Sequence, residues 1–154
     1  MSLEMMCMEK LFAFAYLWAW DLDDEQVYRD ILDNMFMNSP ENELLLELEG
    51  LVSSYKESFF RIKRYFDYEN ASFDKNLFGK YLFEGLEKVY VSNKISIKEF
   101  SKRAYEIWNI LPRDIVEEEP FFTLSYADDP LSWGDEKQTR DLYEKAFSFY
   151  KDIY

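Results

Sequence analysis

The sequence predicts an all-α protein, an antiparallel helical bundle of five or six helices with a long ordered loop near 117–134. Three observations lead there. Apolar residues recur at the helical period of 3.6 in at least five segments, capping residues stand before several of them, and no alternating run outlasts a short piece at 121–126. The chain reads as a single helical domain over 1–154, and the polar stretch 67–72 is where a sub-boundary would fall.

The first helix is read at 9–20, where the run 11–20 is apolar almost all round, as in a helix covered on several sides. Its flank is acidic and it is far shorter than the ~18 residues that span a bilayer, so it reads neither as a signal peptide nor as a membrane helix. The carboxylates of Asp21, Asp23, Asp24 and Glu25 then charge the start of a second helix, whose stripe is Val27, Ile31, Leu32, Met35 and Phe36. Ser39 and Pro40 predict an N-cap followed by proline at the first helical position. Leu44, Leu45, Leu48, Leu51 and Val52 line the face that follows, and the pattern resumes after Gly50 at Tyr55, Phe59, Ile62 and Phe66, leaving one helix or two over 40–67.

Ser72 and Asp74 begin the next helix, with Leu77, Phe78, Tyr81, Leu82, Leu86 and Val89 as its stripe. Ser96 with Glu99 fits a capping box, and Phe100, Ala104, Ile107, Trp108 and Leu111 continue that helix until Pro112. Across 117–134 the period fails and Pro120, Pro130 and Gly134 punctuate the chain, which predicts a loop pinned by Phe121, Phe122, Leu124 and Trp133. Asp135 with Gln138 resembles a second capping box, opening a last helix through Leu142, Tyr143, Ala146, Phe147, Tyr150 and Ile153.

Composition bounds the rest. A chain of 154 residues, 48% apolar and 19% aromatic, has enough apolar matter for a ring-rich core without disulfides. Its 31 acidic and 18 basic residues give a net charge of −13, which disfavours binding to nucleic acid or to anionic membrane and favours a cationic protein partner. Cys7 is the sole cysteine, so no intrachain disulfide forms, and a reducing, cytoplasmic setting is expected.

The absence of histidine removes imidazole triads, HExxH zinc sites and Glu-x-x-His iron bundles at once. Asp21, Asp23 and Asp24 imitate the start of a calcium loop, but its sixth position is Gln26 and its twelfth Leu32, so helix capping is the better account. Gly79-Lys80 is followed by Tyr81 and lies inside a helical pattern, which excludes a phosphate loop. No catalytic residue, cofactor site or metal site is therefore assigned. The remaining candidates are Glu117, Glu118, Glu119, Asp128, Asp129, Asp135 and Glu136 with Trp133, carboxylates interleaved with aromatics as on a surface that anchors a cationic protein. The plainer alternative is a solvated acidic loop with its rings turned inward.

From about 78 to 154 the sequence resembles the bacterial self-protective immunity proteins of the colicin D type. The resemblance is carried by Lys94-Ile95-Ser96-Ile97-Lys98-Glu99-Phe100, by Tyr105 and Trp108 on the same helix, by the acidic loop and by the closing amphipathic helix. It implies a helical bundle that binds a cognate nuclease toxin domain and blocks its basic active site, without enzymatic activity. Residues 1–75 have no counterpart in it. A cytoplasmic adaptor or an oligomeric helical protein is the second reading, and a carboxylate–metal enzyme is the weakest.

Overall fold

Helices account for the regular structure of residues 7–69 and 72–152, which the computed structural model of the chain describes; no strand occurs among these residues. The all-α class holds, but the described residues form eight α-helices where five or six were expected. They fall in two compact units, Met1–Leu82 and Phe83–Tyr154. The division lies inside a helix, and the polar stretch 67–72 belongs to the first unit.

In the first unit, α1 (Met8–Ala19) buries residues on nearly every side, as its uninterrupted apolar run predicts. Cys7 caps it: the thiol sulfur accepts the backbone N–H of Lys10 at 3.4 Å, and burial holds the thiol above its ordinary pKa. The next helix, α2 (Glu25–Asn38), is capped by Asp24, whose carboxylate accepts the Gln26 N–H at 2.8 Å.

Ser39 does not cap the following helix. Its N–H closes α2 onto the carbonyls of Met35 and Phe36, and Asn42 caps α3 (Glu43–Glu49) by accepting the Leu45 N–H at 3.1 Å. The helical pattern over 40–67 then splits, because a turn after Gly50 leads to Ser54, which caps α4 (Tyr55–Arg64) through the Glu57 N–H. A π-helical turn, Tyr65–Glu69, extends α4. The first unit is built on rings: Tyr16 lies edge-on to Phe59 at 4.7 Å between centroids, and Phe12 meets Phe78 at 5.4 Å. Such pairs contribute about 0.5–1.5 kcal/mol each beyond their buried area. Arg61 ties α3 to the π turn by binding Glu47 and, with two nitrogens at 2.8 and 3.1 Å, Glu69.

Asp74 starts α5 (Lys75–Ser92), accepting the N–H groups of Asn76 and Leu77 at 3.1 Å each. The helix passes from the first unit into the second at Leu82.

In the second unit α6 (Ile97–Ile110) has the predicted cap, with the Ser96 hydroxyl accepting the Glu99 N–H at 3.0 Å. Leu111 takes the extended backbone that a following proline enforces, which ends the helix. The stretch 117–134 is not the irregular loop expected, nor is 121–126 extended. It holds the one-turn helix α7 (Thr123–Tyr126) and a 3-10 turn, Asp129–Trp133. Short helices form here because carbonyls three or four residues back find N–H partners, as in Leu124 to Phe121 at 3.0 Å and Ala127 to Thr123 at 2.9 Å. Gly134 closes the 3-10 turn in the left-handed region at φ 83°.

The last helix, α8 (Glu136–Ser148), begins at the predicted cap, Asp135 accepting the Gln138 N–H at 3.0 Å. Ile153 lies outside the described residues. Phe100 of α6 stands edge-on to Tyr143 of α8 at 5.0 Å, and Phe83 with Phe121 and Tyr150 closes the other part of this core. Among the described residues no helix is long and apolar enough to cross a membrane.

Candidate functional site

All eight sequence-derived candidates lie in the second unit, yet they have different tasks. Glu117, Glu118, Glu119, Asp129, Trp133 and Glu136 are exposed, and Asp128 and Asp135 are half-buried. Glu119 accepts the Thr123 hydroxyl at 2.7 Å and the Tyr126 hydroxyl at 3.2 Å, which makes it a local brace for α7. Asp135 is the cap of α8, and Glu136 pairs with Arg140 one turn on at 2.7 Å. Trp108 donates its ring N–H to the Val116 carbonyl at 2.9 Å and so fixes the chain that leads to the three glutamates.

The rings of this region are not all turned inward. Phe121 and Leu124 are buried as expected of pinning residues, whereas Phe122 is 41% exposed and Trp133 is 64% exposed. Within the 3-10 turn Pro130 takes the buried position, and Trp133, its last residue, stands exposed.

A groove of about 1040 Å³ lies along α6 and the 3-10 turn, and it gathers some of the candidates while omitting others. Asp128 and Glu136 line it with Leu131 and Ser132; α6 supplies Lys98, Ser101, Lys102, Tyr105 and Asn109. Glu117, Glu118 and Glu119 do not line it, nor does Trp133. Spacings of three and four residues put the α6 contributors on one stripe beside the core stripe of Phe100, Ala104 and Ile107. Burial raises the Asp128 carboxyl above its ordinary pKa, and the neighbouring Asp129 charge adds to this.

Ser101 is the residue that sequence reasoning missed. It occupies a core position, 2% exposed, and its hydroxyl has no hydrogen-bond partner among the described residues. One oxygen of Asp128 and the hydroxyls of Thr139 and Tyr143 share that condition. The hydroxyls of Tyr143 and Ser101 nevertheless lie within reach of each other, short of a regular hydrogen bond, and the charge of Asp128 acts on Tyr143, so three of these four groups belong to one buried polar cluster. Thr139 precedes Tyr143 by one turn on the same face of α8. A serine directly after Phe100, in register with Ala104, is the sequence signal that could have marked the site.

Among the described residues no group of three or more cysteine, aspartate and glutamate side chains could hold a metal ion. No protein-family model, curated protein or solved structure matches the chain.

Proposed function

We propose that this protein is a non-enzymatic inhibitor of the immunity type, which binds a cognate nuclease toxin domain and covers its basic active site. The observation that carries this reading is the exposed Trp133, at 64%, on a turn flanked by the carboxylates of Asp129 and Glu136. Exposed indole within acidic surface supplies an apolar anchor together with the sign that a nucleic-acid cleft attracts. Exposed Glu117 and Glu118 extend the anionic surface of the unit. With a net charge of −13, encounter with a basic partner is steered and therefore salt-sensitive.

The test is binding to the C-terminal domain of the large secreted protein expected to be encoded immediately upstream. Reversal of Glu117, Glu118 and Asp129 to lysine should weaken binding and flatten its dependence on salt. Reversal of Asp24, the cap of α2, should lower stability and leave affinity unchanged where the protein stays folded. Loop variants that bind as tightly as the parent, or an affinity indifferent to salt, would refute the mechanism.

A second reading, an adaptor or self-associating helical protein, is favoured by a separate observation in the first unit. Met37 is 79% exposed, Leu46 58% and Phe60 54%, on three successive helices. Sedimentation velocity across a hundredfold range of concentration decides it: a concentration-dependent oligomer, lost in Leu46→Glu and Phe60→Glu, would favour this reading.

A further inference from the structure

We propose that the outer face of α6 joins two copies of this chain, the helix of each lying antiparallel in the groove of the other, with Lys102 of each copy facing Glu106 of the other. The inference is independent of the toxin reading. Lys98, Lys102 and Glu106 line the groove, all three are exposed, and none enters an ion pair or a side-chain hydrogen bond among the described residues. Of the other charges along the groove, Glu99 holds Arg103 at 3.1 Å, Glu136 holds Arg140 at 2.7 Å, and Asp128 is half-buried. A spacing of four sets the three free charges in one row along the 14-residue helix, two cations and then an anion. Lys102 and Glu106 stand one turn apart with the base ahead of the acid, the order that pairs poorly within a helix, so each stays available to another molecule.

An occupant of this groove has to answer both signs within one helical turn. A purely cationic surface would be repelled by Lys98 and Lys102, and a purely anionic one by Glu106 and Asp128. The row on α6 is itself the matching surface when reversed. A two-fold axis passing between Lys102 and Glu106 sets the lysine of each copy against the glutamate of the other, so the same contact is made twice. The antiparallel arrangement also opposes the two helix dipoles, whereas a parallel one would set like charges together. Tyr105, 39% exposed, and half-buried Leu131 line the same groove and supply apolar surface for the second copy to cover. A helix suits the place better than an extended segment: no strand edge exists among the described residues to pair with one, and a helix arrives with its backbone bonds made. The volume of about 1040 Å³ admits a row of its side chains. The net charge of −13 sets copies against each other at a distance, but at physiological salt that repulsion is screened beyond about 8 Å and close pairs decide.

The experiment is sedimentation velocity of the full chain at physiological ionic strength, across a hundredfold range of concentration. It compares the parent, Lys102→Glu, Glu106→Lys, and the two variants mixed in equal amounts. The parent is expected to dimerise as concentration rises. Each single reversal places like charges together at both symmetric contacts and should weaken association by roughly tenfold or more. The equimolar mixture should regain it, because each variant then supplies the charge that the other lacks. Recovery on mixing separates charge pairing from damage to the fold, since an unfolded variant is not rescued by another; both positions are exposed, and circular dichroism checks that the helices remain. A parent that stays monomeric throughout overturns the proposal, as does a dimer indifferent to both reversals or a mixture that stays monomeric. A dimer lost only in Leu46→Glu or Phe60→Glu overturns it too, and assigns association to the first unit. None of these outcomes bears on toxin-domain binding, which is measured separately.

Discussion

Tyr143→Phe tests whether the buried cluster is held unsatisfied in the free protein. The ring is fully buried, it packs edge-on to Phe100 at 5.0 Å and stacks with Phe147 at 6.3 Å, and phenylalanine preserves both contacts. Only the hydroxyl is lost, and its contact with the Ser101 hydroxyl falls short of a regular hydrogen bond. Burial pushes its pKa up, so the group is neutral around pH 7. A hydroxyl taken from water without a new partner costs about 1–3 kcal/mol, whereas a satisfied one contributes about 0.5–1.5 kcal/mol. Removing it should therefore stabilise the fold by about 1 kcal/mol, or raise Tm by roughly 2–4 °C in a chain of this size. Urea unfolding followed by circular dichroism, with an unchanged m-value, measures this directly. Tyr28→Phe in the first unit should behave likewise, since Tyr28 is also fully buried and its contact with Ser58 falls short of a regular hydrogen bond. A loss of 1 kcal/mol in Tyr143→Phe would mean that the hydroxyl is bonded in solution and would refute the reasoning.

Three further outcomes are expected. Glu49 is pushed up to about 7, from an ordinary 4.5, by burial first and then by its hydrogen bond to Asp33 and that residue's charge. Because the folded pKa is the raised one, its contribution is complete below about 4.5 and is lost as pH rises through about 7. The residue is partly exposed, so Glu49→Gln should gain only about 1 kcal/mol over the parent above pH 7 and nothing near pH 4.5. Equal stabilities at pH 8 would contradict this. Gly134→Ala should cost about 1 kcal/mol by melting, purely from backbone strain at φ 83°, because an added Cβ meets nothing within 4 Å. A neutral substitution would show that the turn adapts. Arg61→Met keeps the apolar stem but releases Glu47 and Glu69, which are 46% and 43% exposed, so a loss of about 1–2 kcal/mol is expected in chemical denaturation. If added salt leaves the difference between Arg61→Met and the parent unchanged, charge is not the cause.

Elements whose beginnings depend on one side chain were legible in the sequence. Ser96 and Asp135 accept N–H groups three residues ahead, an arrangement set by local chain geometry and hardly touched by distant packing. Ser39 misled for a related reason: it has the right residue type before a proline, but Asn42 competes for the same role and Ser39 is consumed in closing α2. Across 117–134 the helical turns are too short to display a period, so Thr123 and Pro130 gave no signal of being helical. The groove was illegible because it depends on tertiary approach. Spacing alone places Lys98, Ser101, Lys102 and Tyr105 on one stripe of α6, but nothing local says that Asp128 and Leu131 face it. The acidic candidates were found by composition, which sees charge and cannot distinguish the braces Glu119 and Asp135 from exposed Glu117 and Asp129.

The position of Trp133 gives the chain an optical reporter of its own. Of the four tryptophans, Trp18 lies against Tyr28 at 4.9 Å, Trp20 against Tyr16 at 5.8 Å, and Trp108 is bonded to a carbonyl, while Trp133 stands 64% in water. Its emission therefore forms the red, readily quenched component of the intrinsic fluorescence. Whatever covers the 3-10 turn will move that component to the blue and shield it from acrylamide. Trp133→Phe supplies the blank, so contact at this turn can be followed without any attached dye.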